Sequence, residues 1–297
     1  MFHLIDLHHQ GLSGCIAVFL LETEKGPLLF ETGPHSAYPR LLEGLAEKGY
    51  KPRDLAGVFP THIHLDHGGA SWALAKEGAT VYVHPMGYKH LLDPSKLMES
   101  ARRIYLDKMD QLWGDMQAIA PENLAIVEDG QEYTFGEVRV RAIHTPGHAV
   151  HHIAWQVEGH IICGDVAGVK IDGGPVIPPC PPPDIHIGDW KNSIRRLREA
   201  KPRTLWLTHF GPIAQPEAHL DVLEAQLDHY ANWMKPHFDA GEAPDVITAQ
   251  LQQMADEELV EYGIQGDDIA RYNFANPVWM SVAGLMRYWK KQAEQGA

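Results

Sequence analysis

Cysteine is scarce in this chain. Cys15, Cys163 and Cys180 are the only three in 297 residues, and their spacing shows no pairing. An odd count without a framework excludes a small disulfide-stapled fold and fits a reducing compartment. Cys15 and Cys163 lie in apolar strand-like runs and read as small core hydrophobes, whereas Cys180 lies in a proline-rich loop open to exposure. Long apolar runs are also missing: no stretch approaches the roughly 20 residues that span a bilayer, and the N-terminus lacks a basic segment followed by an apolar one. A cytoplasmic protein with no membrane partner is the expectation. Positive charge is in short supply too. With 25 Lys and Arg against 39 Asp and Glu, the formal charge is −14, which disfavours a nucleic-acid partner and, with it, nuclease activity. No internal repeat with a period of 20–50 residues is evident.

Histidine is abundant by contrast, at 19 residues, and the hydrophobic content of 44% suits one large globular domain or two small ones. Three imidazoles and a carboxylate crowd the segment Thr61-His62-Ile63-His64-Leu65-Asp66-His67. Neutral imidazole and carboxylate suit zinc, iron and manganese, and such groups repel one another when protonated unless a cation holds them together. An exposed histidine tract is the bland alternative. Against it, 55–59 reads as a buried strand and 68–75 as a turn entering a helix, so the ligand-bearing loop sits between ordered elements.

The first third of the chain is β-rich, with strand-like runs at 2–7, 14–21 and 27–30, a turn at Glu31-Thr32-Gly33-Pro34, and helical spacing over 38–47. After the histidine loop come a helix from about Gly69 and a strand at 80–83. The segment 87–119 changes character: apolar residues recur at helical spacing, which predicts one or two helices inserted between strands. Strands resume at 124–127, 132–135, 138–143, 152–157 and 161–164. A Gly- and Pro-rich loop covers 172–183, then a helix at 190–199 and a strand at 204–207 follow. Beyond Pro216 the pattern is helical, with helices expected at 219–234, 244–262 and 277–291. The last carries a broad apolar stripe, Val278, Trp279, Val282, Leu285, Met286 and Trp289, suited to packing on the domain or on a twin subunit.

His62 and His64 can share one cation, but a complete site needs donors from elsewhere. Three candidates stand at strand ends: His144-Thr145-Pro146-Gly147-His148, Cys163-Gly164-Asp165 and Leu207-Thr208-His209-Phe210-Gly211. Ligands at the ends of neighbouring strands converge on one rim of a sheet.

This combination resembles the metallo-β-lactamase superfamily over about 12–212. The resemblance implies an α/β fold, an αββα four-layer sandwich with the metals at one edge. The catalytic core would span 1–215 with the 87–119 helical insertion, and 216–297 would be a helical C-terminal extension packed on it. It also implies that His62, His64 and His148 hold one metal, that Asp66, His67 and His209 hold the other, and that Asp165 bridges both. The commonest zinc β-lactamases carry Cys at the position of Asp165, and the flavin-linked di-iron oxidoreductases carry Glu at that of His64. Similarity is nearest to glyoxalase II-like and lactonase-like hydrolases. The family's usual Asp-Thr-Gly is Glu31-Thr32-Gly33 here, a carboxylate one methylene longer behind the ligands, which leaves the orientation of a ligand open.

Two divalent ions, zinc first and iron or manganese as alternatives, would lower the pKa of a bridging water towards about 7 and polarise a scissile bond. Hydrolysis of a small ester, thioester, lactone or phosphoester follows, with Asp66 also accepting a hydrogen bond from the attacking water or passing a proton to the leaving group. The competing expectation is a mononuclear iron oxidoreductase of the persulfide dioxygenase kind, which would use His62, His148 and Asp165. A third is a binding module whose metals are structural. His8, His9, His35, His151, His152 and His186 are candidates for second-rank or substrate contacts, and His84 and His90 for structural positions. Tyr88, Tyr105 and Trp113 are possible pocket aromatics, and the proline-rich loop a possible wall. The partner expected is a small molecule, with a homodimer allowed by the C-terminal stripe.

Overall fold

Two six-stranded sheets face one another in the computed structural model, which describes residues 1–295. The first sheet runs in chain order through β1 (Phe2–Asp6), β2 (Ala17–Leu21), β3 (Leu28–Phe30), β4 (Gly57–Phe59), β5 (Val81–Val83) and β6 (Leu124–Ile126). Pairing is antiparallel from β1 to β3 and parallel from β3 to β6. The second sheet contains β7 (Glu132–Phe135), β8 (Val138–His144), β9 (Ile153–Val157), β10 (His160–Ile162), β11 (Thr204–Leu207) and β12 (Gly211–Ile213), and only its β10–β11 pair is parallel.

Successive side chains of a strand point to opposite faces, so a strand covered on both sides reads as an unbroken apolar run. β2 does this. Ala17, Phe19 and Leu21 join Phe30, Phe59, Val140, Ala142 and Trp155 between the sheets, while Val18 and Leu20 join Leu41, Leu45 and Leu74 beneath the outer helices. The apolar run at 14–21 becomes a strand only from Ala17, because its first part turns through Gly14 at φ +75°. Trp155 is fully buried and its indole N–H donates to Pro60 O at 3.0 Å, tying the second sheet to the chain just ahead of the histidine loop.

Helices cover both outer faces, which completes four layers. On the first sheet lie Tyr38–Glu47, Ser71–Lys76 and the insertion, which forms three helices rather than one or two: Pro85–Leu92, Ser95–Tyr105 and Met109–Leu112. Asp93 takes an extended conformation before Pro94, whose missing N–H and preference for an extended predecessor separate the first two. Met98, Ala101, Met109, Met116 and Ile119 bury this insertion in the helix-side core.

On the second sheet lie Ile187–Glu199 and four C-terminal helices, Pro216–Ala240, Pro244–Glu261, Asp267–Ala275 and Val278–Gln295. Leu220, Leu223, Leu251, Val282 and Leu285 share one core with Trp190, Leu205 and Leu207, so most of the C-terminal apolar stripe is covered by its own chain. Trp279 stays 42% exposed. The helix expected at 219–234 runs on through Pro236 to a left-handed cap at Gly241. No sequence pattern announces Asp267–Ala275, since Tyr272 is its one buried residue and the segment has no apolar stripe.

Cys15 and Cys163 are buried as expected, and so is Cys180, against expectation. Its loop lies under the last helix: Cys180 N–H donates to Ser281 Oγ at 3.3 Å, and a side chain at Gly284 would collide with Cys180 O. None of the described helices is long and apolar enough to cross a membrane.

Candidate metal centre

Four connections meet at one rim of the sandwich. The loop after β4 carries His62 and His64 and turns into a single helical turn, Leu65–Gly68, bearing Asp66 and His67. His148 follows β8, Asp165 lies in the 3-10 turn Gly164–Ala167 after β10, and His209 lies between β11 and β12. Glycines allow the close approach. Gly147, at φ +137°, lies where a Cβ would strike the backbone of Trp190, and Gly164, at φ +48°, where a Cβ would strike Thr61. Both need a backbone that L side chains rarely adopt.

All seven residues expected as ligands come together in two adjoining groups. His62, His64, His148 and Asp165 form one, and Asp66, His67 and His209 the other, with the ligand atoms of each within 4.8 Å of one another. In the first, His64 Nδ1 lies 2.8 Å from His62 Nε2 and 3.0 Å from His148 Nε2. Asp165 stands between the groups. Its Oδ2 is 3.3 Å from His148 Nε2, while its Oδ1 is 3.3 Å from His67 Nε2 and 3.5 Å from His209 Nε2. Asp66 Oδ2 lies 3.5 Å from His209 Nε2 and 3.7 Å from His67 Nε2.

Hydrogen bonds on the far side of the rings set the tautomers. His67 Nδ1 donates to Glu31 Oε1 at 2.8 Å, His148 Nδ1 to Pro179 O at 2.9 Å, and His209 Nδ1 to Cys15 O at 2.6 Å. The Thr61 hydroxyl donates its one proton to Glu31 Oε1 at 2.7 Å, so its oxygen accepts from His62 Nδ1 at 3.0 Å. Four imidazoles therefore turn Nε2 to the centre, the orientation a metal-binding histidine needs. The proline-rich loop thus braces His148 from behind, through Pro179 O.

Glu31 organises the rear of both groups. It is fully buried at φ +64°, and it accepts from Thr61 N–H at 2.9 Å and Thr208 Oγ1 at 2.9 Å as well as from Thr61 Oγ1 and His67. The longer carboxylate thus orients His67 directly and His62 through Thr61, and Thr208 adjoins His209. Sequence reading singled out neither threonine for this role. The carbonyls of Cys15 and Pro179 leave no side-chain signal at all.

Burial disfavours charge on the His62, His64 and His148 rings and lowers their pKa values, His64 to about 3, so these three rings are neutral and ready to donate lone pairs. At His67 burial also acts against charge, but Asp165, Asp66 and Glu31 outweigh it and raise the pKa well above its ordinary value. Burial would raise the carboxyl of Asp66, yet His67 and His209 hold it well below the usual range. The second group, in short, calls for positive charge.

Three buried atoms at the junction, His67 Nε2, His209 Nε2 and Asp165 Oδ1, have no hydrogen-bond partner among the described residues. Each such atom costs about 1–3 kcal/mol. Divalent cations would satisfy ring nitrogens and carboxylate together, and this nitrogen and oxygen donor set fits zinc, iron or manganese.

The other histidines divide. His152 is fully buried, bonded through Nδ1 to Thr145 Oγ1 at 2.8 Å, with its ring stacked 5.0 Å from that of His62. His151 packs beside His62 and His64. His9 is buried, and burial lowers its pKa to about 4. His8 pairs with Asp6, His35 packs on Trp72, and His84 and His186 cap helices. Tyr105 and Trp113 meet at 5.1 Å, and burial pushes the Tyr105 hydroxyl pKa up.

Known proteins resemble this chain in sequence and in fold. A family model for the metallo-beta-lactamase superfamily matches residues 16–209. The metallo-beta-lactamase fold-containing protein ST1585 of Sulfurisphaera tokodaii is 31% identical over 55% of this chain and 64% of its own length. A hydroxyacylglutathione hydrolase of Gloeobacter violaceus is 33% identical over 50% of this chain and 47% of its own, and an N-acyl homoserine lactonase of Bacillus thuringiensis 27% identical over 47% and 57%. The chain thus spans less than two thirds of the length of these relatives. In fold, the metallo-beta-lactamase family protein TTHA1429 of Thermus thermophilus superposes with a TM-score of 0.69 at 21% identity, covering 98% of this chain and 94% of that one. Two facing sheets between helices, a donor-rich rim and a family match from the start of the core to His209 place this chain in the metallo-beta-lactamase superfamily.

Proposed function

We propose that the protein is a dinuclear metal hydrolase of a small ester, thioester, lactone or phosphoester bond. His62, His64 and His148 would hold one ion, Asp66, His67 and His209 the other, and Asp165 both. The observation that carries this reading is the Asp165 carboxylate, whose two oxygens face different groups, each 3.3 Å from an imidazole nitrogen. A single-iron site built on His62, His148 and Asp165 would leave Asp66, His67 and His209 clustered without a purpose, which favours two ions. The relatives named as a hydroxyacylglutathione hydrolase and an N-acyl homoserine lactonase support hydrolysis as the reaction class.

When bound, two divalent cations, zinc foremost, supply a Lewis acid and make water a nucleophile near pH 7. The chain's own residues do the rest. His62, His67, His148 and His209 are locked in one tautomer by their Nδ1–H bonds, which fixes the geometry before substrate arrives. Asp66, at 21% side-chain exposure, is more open than Asp165 at 6%, and its ionised carboxylate would accept a proton from water and then pass that proton to the leaving group.

Metal analysis of protein purified without added metal, combined with a panel of p-nitrophenyl esters, lactones, thioesters and phosphodiesters, tests the proposal. Two equivalents of zinc or manganese with turnover of one class is the expected result. One equivalent of iron with oxygen consumption on a persulfide would replace it with the dioxygenase reading.

A further inference from the structure

The Gly- and Pro-rich loop after Asp165 bonds to one histidine in each half of the metal centre. At its start, Lys170 N–H donates to His209 O at 2.6 Å, and Phe210 N–H donates to Lys170 O at 3.2 Å. Towards its end, Pro179 O accepts from His148 Nδ1 at 2.9 Å. His209 belongs to one group of metal-competent residues and His148 to the other. The loop has few bonds of its own to fix these contacts. Within 169–180 the described backbone bonds are the Val169–Ile177 pair, at 2.8 and 2.9 Å, and one turn from Gly174 N–H to Ile171 O at 3.1 Å. Pro175, Pro178 and Pro179 have no N–H to give.

The C-terminal helices grip this loop at both ends. Tyr272, from Asp267–Ala275, sends its hydroxyl to the turn at 171–175. It accepts from Ile171 N–H at 2.9 Å and gives its proton to Ile171 O at 3.0 Å or Pro175 O at 2.9 Å. Gly174 leaves room for this, since a Cβ there would strike the hydroxyl. Arg271 pairs with Asp172 of the same turn. At the other end Ser281, from Val278–Gln295, accepts from Cys180 N–H at 3.3 Å and donates to Asn276 Oδ1 at 3.2 Å. Tyr272 and Ser281 are both buried, and moving the loop would break bonds that water is not there to replace.

Each hydroxyl reaches a metal-site segment through a single peptide unit. The N–H of Cys180 and the C=O of Pro179 belong to one peptide, held by Ser281 on one side and His148 on the other. The N–H of Ile171 and the C=O of Lys170 belong to another, held by Tyr272 and by Phe210 N–H, the neighbour of His209. A peptide unit is planar and stiff, so a hydroxyl that fixes its N–H also fixes the direction of its C=O. We propose that Tyr272 and Ser281 are positioning residues for metal binding, Tyr272 setting the His209 segment and Ser281 setting His148. This rests on the dinuclear reading for what the histidines hold, and on the hydrogen bonds alone for how they are held. The C-terminal extension thereby governs each ion separately, which packing on the core would not do.

Titration of the metal-free protein in zinc buffers gives the two affinities, and anomalous scattering from crystals equilibrated in the same buffers assigns each to a position. Tyr272→Phe and Ser281→Ala each remove one hydroxyl and little else. Y272F is expected to weaken the ion beside His209 about threefold to tenfold, and S281A the ion beside His148 by a similar factor, as loss of one hydrogen bond implies. Each should leave the other ion within about twofold. Arg271→Gln loosens the same turn as Y272F and should act on the same ion, which keeps that end testable if Y272F does not fold. Tyr230→Phe removes a buried hydroxyl that has no hydrogen-bond partner among the described residues, and should leave both ions unchanged. Unchanged affinities in Y272F and S281A, or equal weakening of both ions by either one, overturns the proposal. A wild type that binds a single ion would defeat the dinuclear reading. The hydroxyl on that ion's side then keeps its role if its variant alone weakens the ion, and loses it otherwise.

Discussion

Glu31 Oε1 accepts a hydrogen bond from His67 Nδ1 at 2.8 Å, with both side chains fully out of solvent. The same carboxylate also collects the Thr61 hydroxyl and amide and the Thr208 hydroxyl, so one residue braces ligands on both sides of the centre. A Glu31→Gln variant would turn an N–H towards at least one of these donors. Metal affinity is expected to fall by about 10- to 100-fold, the usual consequence of losing a group that orients a ligand. Chelator competition against wild type measures it, and equal affinity would mean that Glu31 is only a packing element.

Asp165→Asn keeps the shape of the carboxylate and removes one of the two charged oxygens facing His148 and His67. The variant should retain less than two equivalents of metal. Anomalous scattering from crystals of the variant would locate whatever remains, and two ions at full occupancy would contradict a bridging role.

His64 is the residue whose Nδ1 lies within 3.0 Å of both His62 and His148 nitrogens. His64→Ala should reduce metal content and lower kcat/KM at least a hundredfold for any substrate found, while a thermal melt shows the fold retained. Full activity in this variant would remove His64 from the site.

Acid should destabilise the protein through histidines outside the proposed ligand set. Burial lowers the pKa of His9 and of His84 from 6.5 to about 4, so between these values the unfolded chain binds protons that the native state refuses. Stability therefore holds above pH 6.5 and declines as pH falls towards 4. Scanning calorimetry should show Tm falling across that window. His84→Asn, which keeps an acceptor for the N–H of Met86, should flatten part of the slope. A Tm independent of pH in wild type would show that the native state takes up these protons as readily as the unfolded chain.

The chain's own order of residues decided which groups can bind a metal and which runs form the sheets, because both depend on local chemistry. Imidazoles at alternate positions in 62–64, a carboxylate at 165 and unbroken apolar runs such as β2 carry their signal in a few neighbouring residues. The helix Asp267–Ala275 carried none, because one buried tyrosine makes no stripe. The burial of Cys180 was also hidden, since the last helix covering it is about a hundred residues away in sequence.

Only the folded chain decided how the site is braced and which distant segments meet. Backbone carbonyls of Cys15 and Pro179 hold His209 and His148, and a carbonyl has no residue type to read. His9 meets Trp113 and Phe274 because three segments distant in sequence pack together. Contacts of that kind are set by the packing of whole layers, in which each segment's position depends on all the others.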